Sequence, residues 1–387
     1  MSDHLHLAVA LDGAGWHPAA WRDPSAETGD LFTPEYWLRL VRLAERGTLD
    51  FVTIEDSLGL AGSGAGPGTV RGRLDALLIA ARVAPLTSHI GLVPTVTTTH
   101  TEPFHVSTQL ATLDYLSTGR AGWRVQVSAR PGEAEHFGRR AIPAIDPATA
   151  DLDSPPVRAI VAELFAEAAD HVEVVRRLWD SWEDDAVIRD AATGRFIDRD
   201  KLHYIDFTGG HFSVKGPSIT PRPPQGQPVV TALAHSRVPY EFAAAAADVV
   251  YVTPASAEQA RAIAGEVRSL SDRPPLVFAD LNVFLDPGRK ARLDALAGAP
   301  YASDAHIWTG DAAGLADLLL EWRSAGLDGF RLRPGVLPAD LDAIVTGLVP
   351  LLRERGALRT EYTSTTLRGH LGLPAAANRY APQEASA

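Results

Sequence analysis

TSHIGLVPTVTTTHTEPFHVSTQLATLDYLSTGRAGWRVQVS, residues Thr87 to Ser128, holds two apolar runs with a helical segment between them. The first run, Ile90 to Val96, ends in the hydroxyls of Thr97, Thr98 and Thr99. An amphipathic segment from about Pro103 to Leu116 follows and is broken at Thr118-Gly119-Arg120. The second run, Ala121 to Val127, stops at Ser128. Strand, helix, strand, with polar residues gathered where each strand stops, is a βαβ unit. In barrels built from such units the C-terminal strand ends form the rim where chemistry is done.

The same alternation extends outward from this unit. Leu5 to Leu11 reads as a first strand, followed by a Trp-rich loop with Trp16, His17, Trp21 and Arg22. Pro34 to Arg46 reads as a helix with proline in its first turn. Phe51 to Ile54 is the next strand and stops at Glu55-Asp56. Residues Gly59 to Gly72 hold six glycines and read as a loop on the same rim, with a helix from Leu74 to Val83 behind it. Ala129 to Pro156 is rich in proline, glycine and charge without a clear period; a long helix then runs from about Val157 to Trp182. Glu183 to Gln227 is an excursion poor in strands. The alternation resumes with strands at Val229–Leu233, Asp248–Val252, Leu276–Phe284 and Gly329–Leu332, and helices at Tyr240–Ala247 and Ala312–Ala325. The expected fold is α/β: a (β/α)8 barrel over residues 1–387 as one unit, with insertions near 129–156 and 183–227. A doubly wound sheet stays open, because periodicity alone does not count closure.

Composition narrows the function. The chain has 387 residues, 45% hydrophobic and 22% charged, which suits a large core; a barrel of roughly 250 residues with insertions absorbs that length. A net charge of −12 without basic runs argues against nucleic acid and anionic membrane surfaces as partners. The absence of cysteine excludes disulfides, thiolate metal sites and cysteine nucleophiles. No stretch reads as a signal peptide or membrane span, so a cytoplasmic location is expected.

Several polar residues fall on the expected rim. Asp56, just past a buried strand, either caps a turn or stands beside a bound ring. Thr97 and Thr98 either serve as β-branched strand residues or hydrogen-bond a flat heterocycle without adding charge. His100 and His105 lack a metal-ligand spacing, and His203 and His211 are isolated, so no metal site is expected; His100 is kept as a candidate for a substrate pocket. Arg124 could pair with an anionic ligand, fill the space of a ring, or bond a carboxylate such as Asp56. No Ser-His-Asp order, P-loop or dinucleotide fingerprint occurs in a fitting context.

FVTIEDSL (51–58), TVTTTHTEPFHVS (95–107), ATLDYLSTGRAGW (111–123), the insertion from Arg177 to Pro217 and TLRGHLGLP (366–374) together resemble the bacterial luciferase-like flavin monooxygenases. Within them, the chain is most similar to the branch of nitrilotriacetate, alkane and dibenzothiophene-sulfone monooxygenases. The resemblance implies a luciferase-like barrel. It also implies reduced FMN delivered by a separate flavin reductase, oxygenation of a small organic substrate, and a homodimer or homotetramer. A deazaflavin, used on other branches, is the secondary cofactor. It places flavin contacts at Asp56, Thr97 and Thr98, with Arg124 where the branch usually has Asn and Ser128 at the end of the same strand. For the flavin phosphate the branch has a His and a Tyr four apart, where this chain reads Leu164 and Phe165. It also has a Gly-Ser-Ser loop, where this chain reads TALAHSRVPYEFAA. His235, Ser236 and Arg237 at a helix start, with Pro239 following, are the candidate substitutes. The alternative class is a flavin-free paralogue that keeps the barrel and serves as a binding or partner subunit.

Overall fold

Runs such as Val249–Val252 and Phe51–Ile54 are buried at every position, so both faces of each strand must be covered. Parallel strands inside a ring of helices meet that demand. In the computed structural model, which describes residues 4–60, 68–144 and 154–381, eight strands do so. They are β1 (His6–Leu11), β2 (Phe51–Ile54), β3 (Gly91–Thr97), β4 (Gly122–Gln126), β5 (Val229–Leu233), β6 (Val249–Val252), β7 (Leu276–Phe284) and β8 (Gly329–Pro334). Each pairs in parallel with its neighbour in chain order, and β8 returns to β1 through His6↔Gly329. The sheet is therefore closed, which excludes the doubly wound alternative.

Helices at Pro34–Arg46, Ala76–Val83, Pro103–Leu116 and Pro155–Asp180 stand where the apolar periodicity puts them. Thr33 caps the first by accepting from Tyr36 N. Periodicity missed the helices Ala257–Ser269 and Arg289–Ala297 and the strand His306–Thr309, which runs along the upper half of the nine-residue β7. These pieces are short or partly exposed, so their apolar faces are thin. The excursion after Glu183 forms two small hairpins, Val187–Asp190 with Arg195–Ile197 and Phe207–Thr208 with Ser213–Val214. Within Ala129–Pro156, which reads as irregular, Pro131–Glu135 is helical; residues 145–153, and 61–67 of the glycine loop, lie outside the described residues.

The lower barrel interior is apolar: Phe51, Val93, Val229, Val249, Tyr251 and Phe278 pack together, and Leu367 and Leu371 close it from below. Gly91 makes room for this plug, since a Cβ there would lie 2.6 Å from Leu367 Cδ1. With its base sealed, the barrel is open to ligands only at the C-terminal rim. No helix among the described residues is long and apolar enough to cross a membrane.

Candidate active site

Above the apolar floor the inward positions change character. Arg331 and Arg333 alternate along β8, Asp280 faces them from β7, and Arg124 stands opposite on β4. Glu55 follows β2 directly. Arg331 grips Asp280 through two bonds, Nε to Oδ1 at 2.7 Å and Nη2 to Oδ2 at 2.5 Å, and reaches Glu55 Oε1 at 2.9 Å. Arg124 Nη1 meets Glu55 Oε2 at 3.0 Å and donates to Thr95 Oγ1 at 3.1 Å. Arg333 pairs with Asp280 and, at 2.9 Å, with Asp304, which lies 3.4 Å from His235 Nε2. The result is a ladder of three guanidiniums and three carboxylates across the barrel. Arg331 and Asp280 are wholly buried in it, and Arg331 also stacks 4.1 Å above Tyr251.

Charges this deep persist only because each is matched. Burial pushes Asp280 upward, but Arg331 and Arg333 outweigh it and hold the carboxyl at about 2. Burial likewise raises Glu55, and Arg124, Arg331 and Arg333 bring it below the usual range. Asp12, just past β1, has no such ion-pair partner among the described residues. Burial lifts it to about 6, against the downward pull of Arg73 and with Glu55 adding to the rise.

A cavity of about 580 Å³ opens on this ladder, within the roughly 300–1,000 Å³ of small-molecule sites. Arg124, Glu55, Arg333 and Asp304 supply its charged lining, and Val161, Leu164, Phe165, Ala232, Leu233 and Phe242 an apolar one. Phe165 and Phe242 pack edge to face at 5.5 Å. Asp56, Ser57, Arg73, Asp12 and Trp16 complete the mouth. Arg124 therefore does not plug the hollow. It lies in the floor, and its carboxylate partner is Glu55 rather than Asp56.

The other expected residues scatter around this cavity. Asp56 lines it and also accepts from Ser57 N at 2.7 Å and Ala76 N at 2.8 Å, so it holds the start of the following helix. Thr97 and His100 line an adjoining cavity of about 420 Å³ that shares Asp56. His100 adopts φ 75, stacks on Phe137 at 5.2 Å and leaves Nε2 buried without a partner. Thr98 Oγ1 is spent on Gln126 O at 3.1 Å. Ser128 lines the central cavity, but its hydroxyl donates to Glu133 at 2.6 Å. The expected uncharged hydroxyl shelf is thus largely a set of stitches between the β3 and β4 loops, and the surface presented to a ligand is charged. Ser236 and Arg237 begin the helix Arg237–Ala246 and do not line the central cavity; Arg237 pairs with Glu241 at 2.6 Å on the exposed face. Asp280, Arg331, Arg333, Asp12 and Arg73 escaped the sequence reading. A usable signal was there: LVFADLNVF places Asp280 and Asn282, and GFRLRP places Arg331 and Arg333, at alternate positions inside otherwise apolar strands.

The lining fits one end of a flavin. Nε of Arg124 and Nε of Arg333 are buried without acceptors, and the carbonyl edge of an isoalloxazine supplies acceptors beside an apolar wall. The phosphate end fits poorly, because Val161, Leu164 and Phe165 present no donor and the lining cation Arg130 is tied to Glu133 at 3.0 Å.

Comparison with known proteins agrees with this architecture. The profile described as luciferase-like monooxygenase matches residues 14–328. The chain is 31% identical to N-acetyl-S-(2-succino)cysteine monooxygenase of Bacillus subtilis (strain 168), covering 97% of this chain and 98% of that one. It is 30% identical to nitrilotriacetate monooxygenase component A of Aminobacter aminovorans, covering 95% and 96%. Among solved structures, a long-chain alkane monooxygenase superposes with a TM-score of 0.81 at 24% identity over 96% of each chain, a likeness of fold. The sealed barrel, its single open rim and these full-length matches lead to one conclusion: the chain belongs to the luciferase-like monooxygenase family.

Proposed function

We propose that the chain is a flavin-dependent monooxygenase that receives reduced FMN from a separate reductase and oxygenates a small organic substrate at the barrel mouth. The observation that carries this reading is the central cavity, charged on its floor and apolar on one wall, opening only at the rim. When bound, reduced flavin supplies two electrons to O2, so that one oxygen atom enters the substrate and the other leaves as water. The protein's own part is orientation and exclusion of water. Arg124 and Arg333, whose Nε–H groups lack acceptors, would hold the ring's carbonyl edge, the Phe165–Phe242 wall would shield the ring from water, and Asp12, with its pKa raised to about 6, could hold or release a proton beside Trp16. Asp56 orders the wall between the central and adjoining cavities.

The relatives' activities favour the enzyme over the flavin-free reading. They do not choose the substrate, since the names range from nitrilotriacetate to long-chain alkanes and dimethyl sulfide. A deazaflavin is the secondary cofactor; structures of F420-dependent enzymes share the fold at 13–14% identity. A homodimer or homotetramer is proposed with it, and light scattering measures this directly. Anaerobic titration with reduced and oxidised FMN tests the central reading: saturable binding of the reduced form is expected, and binding of neither form removes the proposal.

A further inference from the structure

Beside the central cavity lies a smaller hollow of about 240 Å³, lined by Trp16, Trp21, Phe32 and Trp37 among others. Asp12, Trp16, Glu55 and Arg73 line both spaces, so the two meet there. The indole N–H groups are already spent: Trp16 on Ala10 O at 3.2 Å, Trp21 on Gly68 O at 2.8 Å, Trp37 on Leu31 O at 3.1 Å. The rings therefore offer carbon surface to the hollow, with one face of Trp16 already under the Arg333 guanidinium at 4.5 Å. The polar side chains divide sharply. Glu55 is consumed by Arg124 and Arg331, and His17 by Ala19 N and Asp294. Arg73 makes no hydrogen bond or ion pair among the described residues, and its Nε is buried without an acceptor. Thr69 Oγ1, on the same lining, is likewise buried and unpaired.

A half-exposed guanidinium whose Nε is buried without an acceptor, beside three tryptophans, carries an unmet donor in the empty protein. It is well matched to a ligand that brings a carboxylate on an apolar body. The geometry points to Arg73 as the residue that selects the substrate: an organic acid whose carboxylate binds Arg73 and Thr69, whose apolar or thioether body lies among the tryptophans, and whose reacting atom reaches the central cavity past Trp16. This rests on the central cavity being the flavin seat. Asp12, Glu55 and Asp56 stand nearby, so a single carboxylate suits the position and a phosphate dianion does not.

Calorimetric titration of the flavin-free protein with a panel of arylacetates and alkylthioacetates, each beside its neutral amide, tests the assignment. At least one acid is expected to bind about tenfold or more tighter than its amide, the scale of one charge-assisted contact. Arg73→Gln should abolish that preference, Arg73→Lys should restore part of it, and Thr69→Val should weaken it with the fold intact by circular dichroism. Reduced-FMN affinity measured on the same variants separates the two spaces: in Arg73→Gln the loss of acid preference is expected to exceed any change in reduced-FMN binding. If no acid outbinds its amide, or if Arg73→Gln keeps the preference and loses reduced FMN instead, the assignment is overturned. If acid selectivity behaves as expected while no flavin binds either protein, Arg73 stands as the acid site and the flavin reading of the central cavity falls.

Discussion

Arg124 on β4 reaches across the barrel to Glu55 behind β2, Nη1 to Oε2 at 3.0 Å, with both side chains nearly buried. Glu55 is held from its other oxygen by Arg331 at 2.9 Å. The position that the family resemblance marks for flavin contact is thus one rung of a charge ladder.

Removing that rung should be expensive. Arg124→Met leaves Glu55 with Arg331 as its one remaining direct ion-pair partner among the described residues and is expected to lower unfolding free energy by about 3–5 kcal/mol, with Arg124→Met/Glu55→Gln recovering more than half of the loss. Urea denaturation of both variants and Glu55→Gln closes the cycle; strictly additive losses would show that the two side chains do not act as a pair.

Asp280→Asn should be at least as severe, because it takes a shared carboxylate from two cations at once, leaving Arg331 with Glu55 and Arg333 with Asp304. A loss of about 3–5 kcal/mol or failure to fold is expected. Asp280→Asn/Arg333→Met, which removes one of the two cations that lost a partner, should be more stable than Asp280→Asn alone, as thermal melts will show.

Acid should weaken the protein in a definite order. Burial lowers His171 to about 3, between Trp123 and Phe212, with neither ring nitrogen partnered. A histidine with a depressed folded pKa contributes stability that is present above its unfolded value of about 6.5 and lost as pH falls toward 3. Asp280 adds a second loss between about 4 and 2, as its carboxylate must be protonated. Asp12 works in the opposite sense: its raised pKa favours the fold at low pH and withdraws that support as pH rises through about 6. His171→Leu should therefore show a flatter stability profile than wild type between pH 6.5 and 4, measured by denaturant melts; an unchanged slope would place the titrating group elsewhere.

The apolar wall should be visible in flavin choice. Val161, Leu164 and Phe165 give a phosphate no partner, so reduced FMN and reduced riboflavin are expected to bind within roughly fivefold of one another; one charge-assisted hydrogen bond of about 1.5–3 kcal/mol would separate them by tenfold or more. Anaerobic fluorescence titration with both decides.

Asp56→Ala removes the acceptor for Ala76 N at 2.8 Å. A cost of about 1 kcal/mol is expected, since Asp75 still caps Leu78 N. If the wall between the central and adjoining cavities depends on Asp56, flavin affinity falls as well. A full loss of binding without loss of stability would instead identify Asp56 as a direct flavin contact.

Periodicity made the barrel legible. Ile90–Val96 and Ala121–Val127 read as covered strands, and Pro34–Arg46 and about Pro103–Leu116 as helices, because backbone preference and apolar spacing are local properties. Closure was not local: it depended on β8 finding β1 across more than 320 positions of chain. The candidate site shows the same division. Asp56, Thr97 and Arg124 could be named from where their strands stop. Thr98 and Ser128 could not be told from ligand contacts, because their hydroxyls are claimed by Gln126 O and Glu133, partners that only folding brings near.

From its amino acids alone this protein was bound to be an alternating α/β chain with a polar rim and no metal-thiolate chemistry. Tertiary structure decided the rest: that Glu55, Asp280 and Asp304 would neutralise Arg124, Arg331 and Arg333, and that the Nε of Arg73 would be buried with no acceptor among the described residues, beside three tryptophans. Charge pairing acts through space over a few ångströms, and residues separated by tens or hundreds of positions acquire that distance only when the barrel closes.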